Sequence, residues 1–360
     1  MEHVQPADAI TFAETLLKSH GLSGSHAKII AQCLVAADLR GVDTHGINRL
    51  PSYIAKIKKG AIDVKAEPEL KQITPVVAQV DAKNAFGFIG AKLGMAKAIE
   101  MAEVFGIGMV SIKHSNHFGM SAWLVKQAID ADMLSLVFTN SSPALPPWGS
   151  VSKIVGVSPI ACGAPGGDHP FILDMAPSNA ARGKVYKALR RNEKIPKDWA
   201  LNAAGEPTDD PKEALEGVML PMGGPKGSGL AIMMDVFSGV LSGSAFAGGV
   251  KGPYDPSSDP ADVGHFLVAI KPDLFMTKEE FVERAMFLYQ KVTTSEKAAG
   301  VNRIYFPGEI EQLTEEKRRK EGIPYAESEV QTLNAEASSA GVPELKVSKY
   351  PCSEISVLAA

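Results

Sequence analysis

At about residue 75 of this 360-residue chain the spacing of the apolar residues changes. Short apolar runs at 76–80, 107–112, 134–138, 171–173 and 266–270 have the length of buried strands. The intervening stretches 90–104, 120–131 and 228–241 carry apolar residues at helical spacing, so this part of the chain predicts an α/β body. Upstream the pattern is helical throughout. Ile10, Ala13, Leu16 and Leu17 mark one stripe stopped at Gly21, and Ile29, Ile30, Cys33, Leu34 and Ala37 mark a second stopped at Gly41. Ile47, Leu50, Ile54 and Ile57 form a third, with Pro51 either in its first turn or at a bend. Residues 277–292 and 309–322 return to helix. The expected fold class is therefore α/β (α+β). A helical domain is expected from 1–74 with about 275–330, a larger α/β domain from 75–274, and a weakly ordered tail from 331–360, where Ser, Ala, Glu and Pro are prominent.

Several function classes fall away on composition. The formal charge of −4 lacks the basic excess that a phosphate backbone demands, so no nucleic-acid partner is expected. No apolar run reaches the roughly 18 to 20 residues of a spanning helix, and the nearest, 230–241, is broken by Asp235, Ser238 and Gly239. No membrane partner is expected either. Cys33, Cys162 and Cys352 lie far apart, in no CxxC pattern, which fits a reducing, cytoplasmic setting. The N-terminus resembles neither a secretory signal nor a transit peptide.

Five segments carry residues able to do chemistry. Asp43-Thr44-His45-Gly46-Ile47-Asn48-Arg49 sets an imidazole and a guanidinium four residues apart at an expected helix start, on one side if helical there. Such a pair suits a 2-oxo or 2-hydroxy acid, because the ring exchanges a proton and the guanidinium forks onto the carboxylate. The plainer reading is an N-cap at Asp43 or Thr44 followed by solvated side chains. His114-Ser115-Asn116-His117-Phe118-Gly119 follows the run 107–112, where α/β sheets gather catalytic groups. Its two histidines have no second His or Cys cluster and no HExxH to complete a metal site, so no metal is expected. Asn140 and Ser141, in the stretch that ends at Pro146-Pro147-Trp148-Gly149, can hold substrate oxygens or simply make a turn. Asp174 ends the apolar run 171–173 and can orient a histidine, bind a ribose hydroxyl or cap a helix. Gly223-Gly224-Pro225-Lys226-Gly227-Ser228-Gly229 opens an apolar helix and suits a phosphate, although close helix packing through small residues explains the glycines equally. It is not a Walker loop, and no GxGxxG follows a strand, so a Rossmann domain is not supported.

Taken in order, GVDTHGINRLPSYI (41–54), HSNHFG (114–119), NSSPALPPWG (140–149), FILDMAPS (171–178), PMGGPKGSGL (221–230) and FPGE (306–309) resemble the malate/L-lactate dehydrogenase family over about residues 8 to 325. The resemblance implies a non-Rossmann oxidoreductase that uses NAD or NADP, a homodimer with a helical and an α/β domain, and a small 2-oxo or 2-hydroxy acid as substrate. It implies that His45 or His117 is the proton donor or acceptor, different members using one or the other; the pairing of His45 with Arg49 favours His45 as acid/base and His117 orienting the carbonyl, with Asp174 a further catalytic candidate able to orient a histidine. It implies substrate contacts at Asn140 and Ser141, beside the Arg49 expected from its spacing to His45, and a cofactor lining of Asp174, Met175, Ala176, Lys226, Pro307, Gly308 and Glu309. Thr44 stands where the family usually has Ser, keeping the hydroxyl. Gly156-Val157-Ser158-Pro159 stands where Gly-Thr-Asn-Pro is usual, which leaves the nucleotide preference open. Two other readings compete: a metal-assisted hydrolase built on His114, His117 and His45, and an inactive relative kept as a binding protein.

Overall fold

A computed structural model describes residues 1–252, 257 and 259–348, with backbone alone at 182, 183, 186, 187 and 190. The chain divides into two compact units, one formed by residues 1–54 with 311 onward and the other by 55–310. These boundaries differ from the expected ones at 74 and about 275.

In the smaller unit, helix α1 (Pro6–Ser19) buries Ala9, Phe12, Ala13, Leu16 and Leu17. Helix α2 (Gly24–Leu39) is started by Ser23, whose side chain accepts from the His26 N–H, and buries Ile30, Ala31 and Leu34. Helix α3 (Leu50–Lys58) begins beside Pro51, so the proline sits in the first turn and bends nothing. After the later helices the chain returns to pair Ile323–Tyr325 antiparallel with Glu2–Val4.

The larger unit is built on seven strands: β1 (Glu69–Thr74), β2 (Val77–Asp81), β3 (Ile107–Ser115), β4 (Leu134–Thr139), β5 (Ile160–Ala164), β6 (Phe171–Met175) and β7 (Val263–Ile270). Their spatial order is β1-β2-β3-β7-β4-β5-β6. Only β2 and β3 pair in parallel, joined by helix α4 (Gly87–Phe105), and every other pair in this sheet is antiparallel. This mixed sheet is not a Rossmann sheet, which is mostly parallel. Helix α4 lies close on it: a Cβ at Gly94 would meet Ile112 Cδ1 at 2.9 Å and Leu267 Cδ1 at 3.1 Å. β7 is buried along almost its whole length, as a strand covered on both faces must be. Helices α5 (Ser121–Asp130), α6 (Arg182–Arg191), α7 (Pro211–Glu216), α8 (Pro225–Asp235) and α9 (Lys278–Thr293) complete this unit. The strand β5 and the helices α6 and α7 are additions to the sequence reading.

Two expectations are corrected. Helix α9 lies in the larger unit, not in the helical domain, and buries none of its residues. Helix α10 (Glu309–Glu321) is as expected, but the tail expected to be weakly ordered contains a further helix, α11 (Glu327–Ala340). That helix buries Val330, Leu333 and Ala337, a three-and-four spacing diluted by Ser, Ala and Glu. The remainder of the expected tail, 349–360 with Cys352, lies outside the described residues.

Leu267 has no exposed surface and lies at the centre of the sheet. Leu267→Ala should lower the unfolding free energy by about 2–5 kcal/mol, read from the midpoint of urea denaturation followed by circular dichroism.

Candidate active site

The segment 43–49 is not one helix. Asp43–His45 and Ile47–Arg49 are separate 3-10 turns, and Gly46 between them is extended at φ −87°, ψ −161°. Only glycine fits there, because Asp38 is fully buried at the end of α2 and a Cβ on Gly46 would lie 1.6 Å from its Oδ1. Asp38 Oδ2 accepts the Ile47 N–H at 2.9 Å and the Tyr325 hydroxyl at 2.8 Å, while Arg318 donates to the Asp38 carbonyl and pairs with Asp43. Burial pushes the Asp38 carboxyl up to about 7, only partly countered by the Ile47 and Tyr325 donors.

The extended Gly46 still leaves the two chemical groups as neighbours. Thr44 Oγ1 lies 2.9 Å from His45 Nδ1, and Arg49 Nε donates to the Thr44 carbonyl at 2.7 Å. Among the described residues the two terminal nitrogens of Arg49 have no partner, so they can fork onto an anion. Burial, with the Arg49 guanidinium adding to it, lowers the His45 pKa to about 4. At neutral pH this ring is uncharged.

In the larger unit, His114 and His117 sit in different surroundings. His114 has a positive φ of 50° and its Nδ1 lies 3.1 Å from Asp81 Oδ1, on the exposed side. Asn116 is buried and its amide donates to Asn84 and to the Ala85 carbonyl, fixing the turn. His117 Nδ1 accepts the Gly119 N–H at 3.2 Å. The neutral ring then carries its proton on Nε2, which makes that atom a hydrogen-bond donor.

Asn140 corrects an expectation. Its amide is buried and donates both hydrogens internally, to Asp235 Oδ1 at 3.2 Å and the Ala245 carbonyl at 2.7 Å, while its Oδ1 accepts the Gly264 N–H at 3.0 Å. With both donors spent on these neighbours, Asn140 has no N–H left to give a substrate. The next residue, Ser141, keeps a hydroxyl with no partner among the described residues.

The expected cofactor residues converge on β6. Ile172 N–H donates to the Pro307 carbonyl at 3.1 Å, and a Cβ on Gly308 would meet Ile172 at 2.8 Å. Beyond the strand, Ser178 bridges Pro221, and Met222 N–H donates to the Pro177 carbonyl at 2.9 Å, which brings the glycine loop alongside. Asp174 is exposed, and its Oδ2 accepts the Ala122 N–H at 2.8 Å in the first turn of α5. Glu309 turns inward, accepting the Phe306 N–H and pairing with Arg303, so this turn offers a ligand its backbone and not that carboxylate. At the start of α8 the N–H groups of Gly227 and Ser228 are used by the Met222 and Gly224 carbonyls. What remains for a phosphate is the exposed Lys226 at the positive end of the helix, with open space beside Gly229. These residues fit a dinucleotide's phosphates through charge. Trp148, 59% exposed, covers Gly224 with its ring and donates its backbone N–H to Ser228 Oγ at 2.9 Å.

Sequence reading passed over Asp38 and His265. A lone carboxylate inside the apolar run VAADLRG and a histidine opening HFLVAI were the available signals. Among the described residues no group of three or more His, Cys, Asp or Glu side chains is arranged to hold a metal, and no helix is long and apolar enough to cross a membrane.

Comparison with known proteins matches residues 4–334 to the malate/L-lactate dehydrogenase family. The chain is 39% identical over 304 residues to the L-sulfolactate dehydrogenase of Methanocaldococcus jannaschii, covering 84% of this chain and 88% of that one. The solved structure of sulfolactate dehydrogenase from the same organism superposes with a TM-score of 0.89 at 36% identity, over 94% of this chain and 98% of that one. The ureidoglycolate dehydrogenase (NAD(+)) of Escherichia coli K12 is 35% identical over 90% of this chain and 93% of its own. The (2R)-3-sulfolactate dehydrogenase (NADP(+)) of Chromohalobacter salexigens is 32% identical over 92% and 97%.

Asp38 makes the stability pH-dependent. A carboxyl whose folded pKa of about 7 exceeds its ordinary 3.8 is preferentially protonated in the folded state, so its contribution is whole below about pH 4 and lost as pH rises through about 7. Asp38→Asn keeps an acceptor for Ile47 and Tyr325 and cannot ionise. Its unfolding free energy, measured against wild type in urea, should gain on the order of 1.4 kcal/mol for each pH unit across that window and then level off.

Proposed function

Since the chain belongs to the malate/L-lactate dehydrogenase family, whose members are NAD(P)-dependent dehydrogenases of 2-hydroxy acids, we propose that it interconverts a malate- or lactate-type 2-hydroxy acid and its 2-oxo acid. The observation that carries this reading is Arg49: its Nε is tied to the Thr44 carbonyl while its terminal nitrogens are left for a carboxylate, beside an uncharged imidazole.

When bound, the nicotinamide supplies or accepts the hydride at C2. Arg49 holds the acid's carboxylate in a two-point fork. His117 donates from Nε2 to the oxygen on C2 and fixes its orientation. His45, uncharged at neutral pH, takes the hydroxyl proton as C2 is oxidised and returns it in the reverse reaction. Ser141, whose buried hydroxyl has no partner among the described residues, is assigned to the substrate as well. The Asp174 carboxylate is assigned to the ribose hydroxyls or to orienting a histidine, the backbone at Met175, Ala176, Pro307 and Gly308 to the cofactor's flank, and Lys226 to a phosphate. Cytoplasmic residence and a homodimer belong to the same reading, supported by Cys33 and Cys162, which form no disulfide among the described residues, and by the exposed Phe287 and Leu288 on α9. Sedimentation of the purified protein checks the oligomer.

Initial rates with a panel of 2-oxo acids, each with NADH and with NADPH, test the reaction itself, and no turnover of any acid with either nucleotide would refute it. Arg49→Lys should raise KM across the panel while kcat changes less, because an ammonium cannot make the planar two-point contact. His45→Ala should lose about 10² to 10⁴-fold in kcat. For the wild type, kcat/KM for oxidation should stay level from neutrality to about pH 5 and fall as His45 is protonated near its pKa of about 4. Lys226→Ala should weaken NADH binding by about 1.5–3 kcal/mol, read by energy transfer from tryptophan to the bound dihydronicotinamide.

A further inference from the structure

His265, at the start of β7, has no exposed surface and reaches in two directions. Its Nδ1 lies 2.7 Å from Thr139 Oγ1 at the end of β4, and its Nε2 lies 2.8 Å from Ser115 Oγ at the end of β3. A neutral imidazole offers one donor and one acceptor, and a hydroxyl serves either, so both ring nitrogens are satisfied. The edge of the ring meets Phe118 at 4.6 Å between centroids. Ser115 is two residues before His117 and Phe118 is one after it, so this one ring touches both sides of the loop that carries His117.

The strand geometry is shaped to allow it. His265 pairs with Ile112 and Val263 with Ser115, so β3 carries two residues, Lys113 and His114, opposite the single Gly264. A bulge of this kind shifts the side-chain alternation by one. Without it His114 would share the face of His265. With it Ser115 does, and the positive φ of His114 absorbs the kink. An apolar aromatic would fill the same volume, whereas burying an imidazole is tolerated only because both nitrogens are bonded. Burial lowers its pKa to about 3, so the ring stays neutral and the linkage constant across physiological pH.

We propose that His265 is a positioning residue for His117, holding the ends of β3 and β4 together so that the 116–119 loop keeps one conformation. This rests on the reading that His117 touches the substrate's C2 oxygen. Because the ring acts through its two hydroxyl partners, Ser115→Ala and Thr139→Val should each lower kcat for 2-oxo acid reduction about 10-fold while leaving KM for NADH unchanged. Thr139→Ser, which restores the hydroxyl, should recover most of the activity. His265→Phe should lower kcat by about 10 to 100-fold in the wild-type background and have little further effect in His117→Ala. Wild-type kcat in Ser115→Ala and Thr139→Val, alongside a crippled His117→Ala, would overturn the positioning role alone, as would full additivity of the His265→Phe and His117→Ala losses. A His117→Ala enzyme with wild-type kcat would instead remove the role of His117, and the proposal with it. Should His265→Phe fail to fold, the two hydroxyl variants and the serine rescue decide the matter.

Discussion

A polar group taken out of water must find a partner or cost free energy, and that rule governs how the candidate chemical groups are held. Asp38, Asn140 and His265 are all buried, and each bonds to the backbone or side chains of neighbouring segments, Asp38 through its Oδ2. Their partners lie at the ends of strands and in short 3-10 turns and loops, where regular structure runs out. Each is fixed because its departure would orphan a carboxylate, an amide or an imidazole. Arg49 at its terminal nitrogens and the exposed Lys226 carry no such obligations.

The elements of the larger unit were legible because its strands are short, apolar and bounded by turn residues. The five expected runs all became strands. β5 was not read because Ile160-Ala-Cys-Gly-Ala is made of small residues with weak strand character. Helix α11 was hidden by composition, its three buried positions scattered among Ser, Glu and Ala. Strand order was not legible at all, since nothing local in 263–270 says that it inserts between strands far upstream.

The site was legible as residue types and less so as geometry. His45 and Arg49 were expected to neighbour one another through a helix, and they do so through hydrogen bonds to Thr44, with the extended Gly46 seated against the Asp38 carboxylate between them. Asn140 was read from its place at a strand exit, a place equally good for bracing the loops 235–247 and 264. Sequence alone does not distinguish an amide that points outward from one that points inward. Family resemblance added roles, and the absent GxGxxG agrees with the antiparallel pairing of most of the sheet.

The place of β7 in the sheet carries a consequence for how the chain reaches its native state. β1 to β3 and β4 to β6 are each complete by residue 175, but the strand that joins them is synthesised only after residue 262. Until it arrives, β3 and β4 present open edges with unpaired N–H and C=O groups. β3 and β4 can gain their shared neighbour only once residues 263–270 exist, and these long-range pairings carry a high loop-closure cost. The same pairings deliver His265 to Ser115 and Thr139, so the linkage beneath the His117 loop forms only when the sheet itself is finished.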